Sequence, residues 1–347
     1  MAPPPYRRPG LVLGRTSAGD DPLVRALQQD LRALGYLRAG IDGRFGDGTE
    51  RAIRAIRYDL LNGIRHGQDG DAPLALTTFN RGRVANVTGV LDQSLAACLE
   101  DILADHRVPR LPRSDDPARA NRETWAAVRG LVGLPVPRPF LLAILLQESG
   151  GQHFRTPTAT DADDFIVMGL DRNDAGHPDR ITSRGYGIGQ YTLFHHPPRD
   201  DEVERLMLDP ARNVDRAVRE LDDKFHSFVD GATPAAQADD RIAEFGRGPL
   251  RPCRYGDDDP RHMADCARCA GEHLMDIGPA APLHPGTSET LESTPYHAET
   301  AYDKVPDRSK LGCDWPYAVR RYNGSGVNSY HYQYRVLQRL SRPPISD

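Results

Sequence analysis

Residues 137–151 read "PRPFLLAILLQESGG": an unbroken apolar run from Phe140 to Leu146, then Gln147, Glu148, Ser149 and two glycines. Pro139 suits the first turn of a helix, where its missing N–H would find no intrahelical partner anyway. A run that is apolar on every face predicts a helix wrapped by other elements, and Gly150 and Gly151 predict its stop. Glu148 then lies at the C-terminal end, where the partial negative charge of the helix opposes ionisation. Partial burial acts in the same direction. A carboxylic acid that stays protonated near neutral pH is suited to general acid catalysis. The same glutamate pointing past the helix end into water is an ordinary surface residue.

Outward from this stretch, helical periodicity dominates and predicts a mainly α protein. In "DPLVRALQQDLRALGYL", Val24, Leu27, Leu31 and Leu34 share one face. "IDGRFGDGTERAIRAI" places a Gly-rich turn before a second amphipathic helix, with Thr49 as its expected N-cap. Gly89 precedes a weaker echo, in which Leu95, Cys98, Leu99 and Ile102 follow helical spacing and make Cys98 a core residue. The expected division is a flexible N-terminus at 1–19, a small helical domain at 20–105, a Pro- and Arg-rich linker at 106–120, and a second domain at 121–347. In the second domain, Val214, Val218, Leu221 and Phe225 mark another amphipathic helix, and 230–312 reads as a loop-rich insert dense in Pro, Gly, Asp and Cys.

The charge balance, 44 Lys plus Arg against 49 Asp plus Glu, gives no reason to expect nucleic acid as a partner. No apolar run approaches the roughly 20 residues of a membrane span. The opening "MAPPPYRRPG" lacks the apolar core and cleavage site of a secretory signal. Four of the five cysteines, Cys253, Cys266, Cys269 and Cys313, fall in the second half. They suit two disulfides, a zinc site built on the Cys266/Cys269 pair, or thiols. No cofactor motif is present.

Leu27, Gln28, Leu31, Leu34, Gly35 and Tyr36, followed by Ile41, Asp42, Gly43, Phe45, Gly46, Thr49 and Ala52, resemble the three-helix peptidoglycan-binding domain. The resemblance implies a groove for cell-wall material and a binding module that can be removed without loss of chemistry.

Four further segments resemble, in order, the lysozyme-like lytic transglycosylases and goose-type lysozymes: "LLQESGG" around Glu148, "TSRGYGIGQYT" at 182–192, "LDPARNVDRAVREL" at 208–221 and "RRYNGSG" at 320–326. The resemblance implies a lysozyme-like catalytic domain that cuts the bond between N-acetylmuramic acid and N-acetylglucosamine, with Glu148 as the acid. Gly185, Gly187 and Gly189 would let the backbone approach the sugar. Tyr186 and Gly187 would line the substrate cleft. Gln190 would hydrogen-bond a sugar, Tyr322 would stack on a ring or orient Glu148, and Asn323 would hold the adjacent turn. Ser149 and Ser183 would supply hydroxyls near the cleft.

The reaction type stays open at this level. A hydrolase normally has a second carboxylate about 5–9.5 Å from the acid, and the loop at 158–179 offers Asp161, Asp163 and Asp164. A lytic transglycosylase uses one glutamate as acid and then base, and the muramic C6 hydroxyl attacks to leave a 1,6-anhydro end. Hydrolytic lysozyme is the alternative, and a non-catalytic wall-binding protein is the alternative from another class. "DRND" at 171–174 offers oxygen ligands without the pattern of an EF-hand, and no metal is expected. The expected partner is the peptidoglycan glycan strand, reached from the periplasm or outside the cell through a phage pore or a specialised secretion system. An injected toxin would add delivery machinery and an immunity protein as partners.

Overall fold

The computed structural model describes residues 3–15, 20–38, 40–63, 74–229, 251–266, 274–276, 280, 290, 292, 304–306, 312–324 and 328–340. Its regular structure is mainly helical. Helices α1 (Pro22–Ala33), α2 (Asp47–Asn62), α3 (Gln93–Ala104), α4 (Pro117–Arg129) and α5 (Arg138–Ser149) precede an antiparallel sheet of β1 (Met168–Asp171), β2 (Ser183–Tyr186) and β3 (Tyr191–Leu193). A short α6 (Asp200–Glu202) runs into a π turn, and α7 (Pro210–Asp223) follows. Strands β4 (Leu274–Asp276) and β5 (Lys304–Pro306) pair antiparallel before α8 (Trp315–Tyr322) and α9 (Asn328–Leu340). Among the described residues, no helix is long and apolar enough to cross a membrane. Most of the insert expected at 230–312, including Cys269, lies outside the described residues.

The chain divides into two compact units: 1–124 with 152–213, and 125–151 with 214–347. The first unit has one core. Val24, Leu27, Leu31 and Leu34 of the α1 face join Ile53 and Ile56 of α2, Leu95 and Leu99 of α3, and Phe154, Phe165, Ile166, Met168 and Leu193 from the sheet segment. The division therefore does not fall at 106–120, where the composition changes. The N-terminal stretch also departs from its expected flexibility. Tyr6 is 1% exposed and donates to Asp30 at 2.6 Å, and Leu13 bridges to Leu91. A tyrosine whose ring finds apolar neighbours and whose hydroxyl finds an acceptor can hold down an otherwise polar terminus.

Gln28 explains much of the loop between α1 and α2. Buried at 1% exposure, its amide donates to Asp42 Oδ1 (2.9 Å), Thr49 Oγ1 (3.1 Å) and the Arg44 carbonyl (3.0 Å), while its oxygen accepts from Gly43 N (2.7 Å). Thr49 is thus an interior acceptor rather than the expected N-cap; α2 begins at Asp47 behind Gly46. A residue that bonds a buried glutamine in this way is spent on loop closure.

Buried ion pairs fasten the sheet segment to the N-terminal helices. Arg32 Nε lies 3.0 Å from Asp163 Oδ2, at 1% and 0% side-chain exposure. Its other nitrogens donate to the Ile166 carbonyl (2.7 Å) and the Leu37 carbonyl (3.3 Å). Arg184 donates to the Gly35 carbonyl at 3.0 Å and faces Asp59 at 3.6 Å, while Tyr36 donates to Asp59 at 2.7 Å. Burial pushes Asp59 up to about 6, and burial likewise raises Asp163 above the ordinary carboxylate range. Removing one member of such a pair strands the other charge in the interior, at a cost of about 3–5 kcal/mol. Asp163→Ala should therefore lower the unfolding free energy obtained from denaturant titration by an amount in that range. A change below about 1 kcal/mol, the scale of an exposed pair, would mean that water reaches Arg32.

In the second unit α5 packs against α9 and α8, and α8 against α9. Phe225, just past α7, stacks on Trp315 at 3.9 Å and 14°. Gln333 donates to the Pro316 carbonyl at 2.7 Å, which fixes α9 against the first turn of α8.

Candidate active site

Helix α5 ends as its sequence predicts. Pro139 stands in the first turn, Phe140, Leu141, Ala143, Ile144 and Leu145 are buried, and Gly150 closes the helix in the left-handed conformation (φ +67°). Glu148 is half-buried one residue before the end. Tyr332 of α9 donates to Glu148 Oε1 at 2.5 Å, and the Tyr322 ring lies parallel to the Tyr332 ring at 6.4 Å and 11°. Both phenols are pushed well above their ordinary value, first by burial and then by the charge of Glu148. They are therefore neutral donors at any working pH, able to orient a carboxylate but not to compete with it as acid or base. Arg339 donates to Gln147 Oε1 at 2.9 Å, a second tie between α9 and the end of α5.

Tyr332 is the residue that sequence reasoning missed. Tyr322, the expected orienting group, stacks on the residue that bonds Glu148. Tyr332→Phe keeps the ring and removes the donor. On the expectation that Glu148 is a catalytic acid, the effect of this change is a roughly ten- to hundredfold fall in rate, the worth of one bond to a charged group, with KM little changed and the pH profile displaced. An unchanged rate and profile would leave Tyr332 with a packing role alone. Ser149 donates to the Leu145 carbonyl at 3.0 Å on its own helix. Asn323 is exposed and caps α8.

The other expected substrate-binding residues belong to the first unit. Ser183 donates to Asp171 Oδ2 at 2.6 Å across β1 and β2. Tyr186 is fully buried on β2. Gly187 has φ +74°, and a Cβ there would come within 2.6 Å of His153 Cε1 and 2.8 Å of Asn213 Nδ2, so only glycine fits. Gln190, itself at φ +50°, donates to the Gly187 carbonyl at 2.8 Å. Its amide thus braces its own loop.

Asn213 and His153 clamp this loop. Asn213 accepts from Gly189 N (2.8 Å) and donates to the carbonyls of Tyr186 (2.9 Å) and Leu206 (3.0 Å). His153 Nδ1 accepts from Ile188 N at 3.3 Å, and Nε2 meets the Met207 carbonyl at 2.8 Å, a pattern that requires the neutral ring protonated on Nε2. Burial lowers His153 to about 4. Between about 6.5 and 4 the unfolded chain binds the extra proton, so the contribution of His153 to stability is lost as pH falls through that window. At about 1.4 kcal/mol per pH unit this amounts to roughly 3 kcal/mol. Asp59, raised to about 6, works in the opposite direction because the folded state favours its protonated form. The clean measurement is therefore a difference: relative to wild type, His153→Gln should lose less stability between pH 6.5 and 4. Parallel pH dependences would contradict this assignment.

Each of the three aspartates offered as a second carboxylate has partners within the first unit. Asp161 Oδ1 accepts from Ile41 N (2.7 Å) and Asp163 N (3.0 Å), and Oδ2 faces Arg155 at 3.3 Å. Asp163 pairs with Arg32, and Asp164 Oδ2 accepts from Arg113 at 2.6 Å. In "DRND", Asp171 accepts from Ser183 and Asp174 from Arg180 at 3.0 Å. Among the described residues, no group of His, Cys, Asp or Glu is arranged to hold a metal ion. Cys253, Cys266 and Cys313 line one small cavity beside Trp315, with no disulfide among the three, and Met263 N donates to Cys253 Sγ at 3.3 Å.

Residues 20–56 match the family model of the peptidoglycan binding domain. That span holds α1, the Gln28-centred loop and the first half of α2. No curated protein and no solved structure matches the chain.

Proposed function

We propose that the chain cleaves peptidoglycan at the bond between N-acetylmuramic acid and N-acetylglucosamine, as a lytic transglycosylase with Glu148 as its acid and base. The observation that carries this reading is the Tyr332–Glu148 bond at the end of a buried helix. A carboxyl group there is oriented by a neutral phenol and half-shielded from water. The peptidoglycan-binding match at 20–56 supports the cell wall as the substrate. The four segments that resemble the transglycosylases support the bond that is cut.

In the proposed reaction Glu148 gives its proton to the glycosidic oxygen as the bond to the muramic C1 breaks. The resulting carboxylate takes the proton of the C6 hydroxyl, whose oxygen bonds to C1. The products are a 1,6-anhydromuramic end and a free 4-hydroxyl on N-acetylglucosamine, and no water is consumed. The neutral phenol of Tyr332 holds the carboxyl group through both steps. Hydrolysis would normally engage a second carboxylate, and the partners of Asp161, Asp163 and Asp164 support the transglycosylase reading over it.

The peptidoglycan-binding match is also compatible with a wall-binding protein that has no chemistry. The two readings separate in a turbidity assay on purified sacculi. Clearing by the full chain supports the enzyme, whereas sedimentation with intact sacculi and no clearing supports the binding protein. On the enzyme reading the chain acts at the wall, in the periplasm or outside the cell, delivered by a phage pore or a specialised secretion system.

A further inference from the structure

A cleft of about 220 Å³ opens in the first unit where the loop between α1 and α2 meets residues 159 and 160. Its lining is Asp20, Arg25, Asp42, Arg44, Ala159 and Thr160: two cations, two anions and no aromatic ring. The loop walls are fixed by backbone bonds, since Ile41 N donates to Asp161 Oδ1 at 2.7 Å and Ala162 N to the Ile41 carbonyl at 3.0 Å. Arg25 is held in place by the Ile41 carbonyl (2.7 Å) and Asp20 (2.8 Å). Asp42 accepts through Oδ1 from Gln28 and Arg44 N, and its Oδ2 has no partner among the described residues. The Arg44 side chain is exposed and makes no ion pair among the described residues.

This lining is ill suited to the uncharged part of peptidoglycan. An N-acetyl sugar offers hydroxyls, an amide and an apolar ring face, for which an aromatic platform is the usual complement. The peptide stem instead carries free carboxylates and, on its diamino acid, an ammonium group. An arginine with an unengaged guanidinium is the natural partner of a carboxylate, and an aspartate with a spare oxygen suits an ammonium group. We propose that this cleft binds the zwitterionic peptide stem of peptidoglycan, with Arg44 on a carboxylate and Asp42 on the amine. The proposal rests on the wall as substrate and adds that anchoring reads the peptide rather than the glycan.

The test uses two probes: a soluble stem peptide, which glycan cleavage leaves intact, with the full chain, and sacculi with the full-length Glu148→Gln variant, which on the proposed reaction does not digest them. The first is a synthetic stem tetrapeptide containing meso-diaminopimelate, titrated calorimetrically beside its carboxyl-amidated form and chitotetraose. The tetrapeptide should bind best. Its affinity should fall at least about tenfold in Arg44→Ala, the scale of one charge-assisted bond, and should weaken with added salt. Tetrapeptide binding that is indifferent to Arg44→Ala and to Asp42→Asn, or tighter binding of chitotetraose, overturns the proposal. The second probe is sedimentation with sacculi before and after an amidase strips the stems. Loss of binding on stripping supports the stem. Equal binding to both sacculi refutes the stem while leaving wall binding intact, and binding to neither refutes both.

Discussion

Glu148→Gln should retain the fold and lose peptidoglycan cleavage by at least about a hundredfold, the lower end of what general acid catalysis contributes. The substitution changes a carboxyl oxygen to an amide nitrogen with almost no change of volume. Its amide oxygen can still accept from Tyr332, so α5 and α9 should stay joined as they are at 2.5 Å in the wild type. In the proposed reaction, what disappears is the proton given to the glycosidic oxygen and the base that takes the proton of the C6 hydroxyl. Thermal denaturation provides the control, because the variant should unfold within a few degrees of wild type. Near-wild-type turnover by the folded variant would remove Glu148 from the mechanism. The same loss in a variant that unfolds early would be uninformative, and Tyr332→Phe then supplies the graded second case.

Removing residues 1–114 should abolish folding of what remains in the first unit. The sequence suggests a separable binding module, but the core says otherwise. Phe154, Phe165, Ile166, Met168 and Leu193 bury their apolar surface in one cluster with Leu27, Leu31, Ile53, Ile56 and Leu99. Cutting the chain at 114 would expose all five to water, at about 1.5–3 kcal/mol for each large apolar side chain. It would also strand Asp163 without Arg32 and Arg184 without the Gly35 carbonyl and Asp59. The apolar part alone is about 7.5–15 kcal/mol, as large as the 5–15 kcal/mol by which domains are stable. The truncated protein should therefore be insoluble, or lack the dispersed amide spectrum of a packed sheet. A soluble, cooperatively unfolding fragment that still cleaves glycan would show that 115–347 is self-sufficient.

What can be read from the sequence depends on how local its causes are. Helix α5 is legible because proline, a continuous apolar run and two glycines act within 15 residues of one another, and the helix ends at Ser149 with Gly150 left-handed. The α1 face and the α7 face, Val214, Val218 and Leu221, are legible for the same reason: one period governs each. Tyr332 is not, because its partner lies 184 residues away and nothing in "NSYHYQYRVLQRL" distinguishes it from the other tyrosines. Asp161, Asp163 and Asp164 look like spare carboxylates in a loop, and only the fold brings Ile41, Arg32 and Arg113 to them. His153 follows the helix stop without any motif, and its role arises from Ile188 and Met207, brought to it by the turn after β2 and the π turn. Thr49 illustrates the reverse error. A good N-cap residue was available, but Gln28 from the previous helix claimed its hydroxyl.

The most direct test of the central claim is mass spectrometry of the soluble products released from purified sacculi by the full chain. A transglycosylase acting through Glu148 alone predicts muropeptides ending in 1,6-anhydromuramic acid, lighter by one water than their reducing counterparts, and none from Glu148→Gln. Reducing muramic ends would contradict the single-carboxylate mechanism, and the absence of any released muropeptide would contradict the enzyme itself.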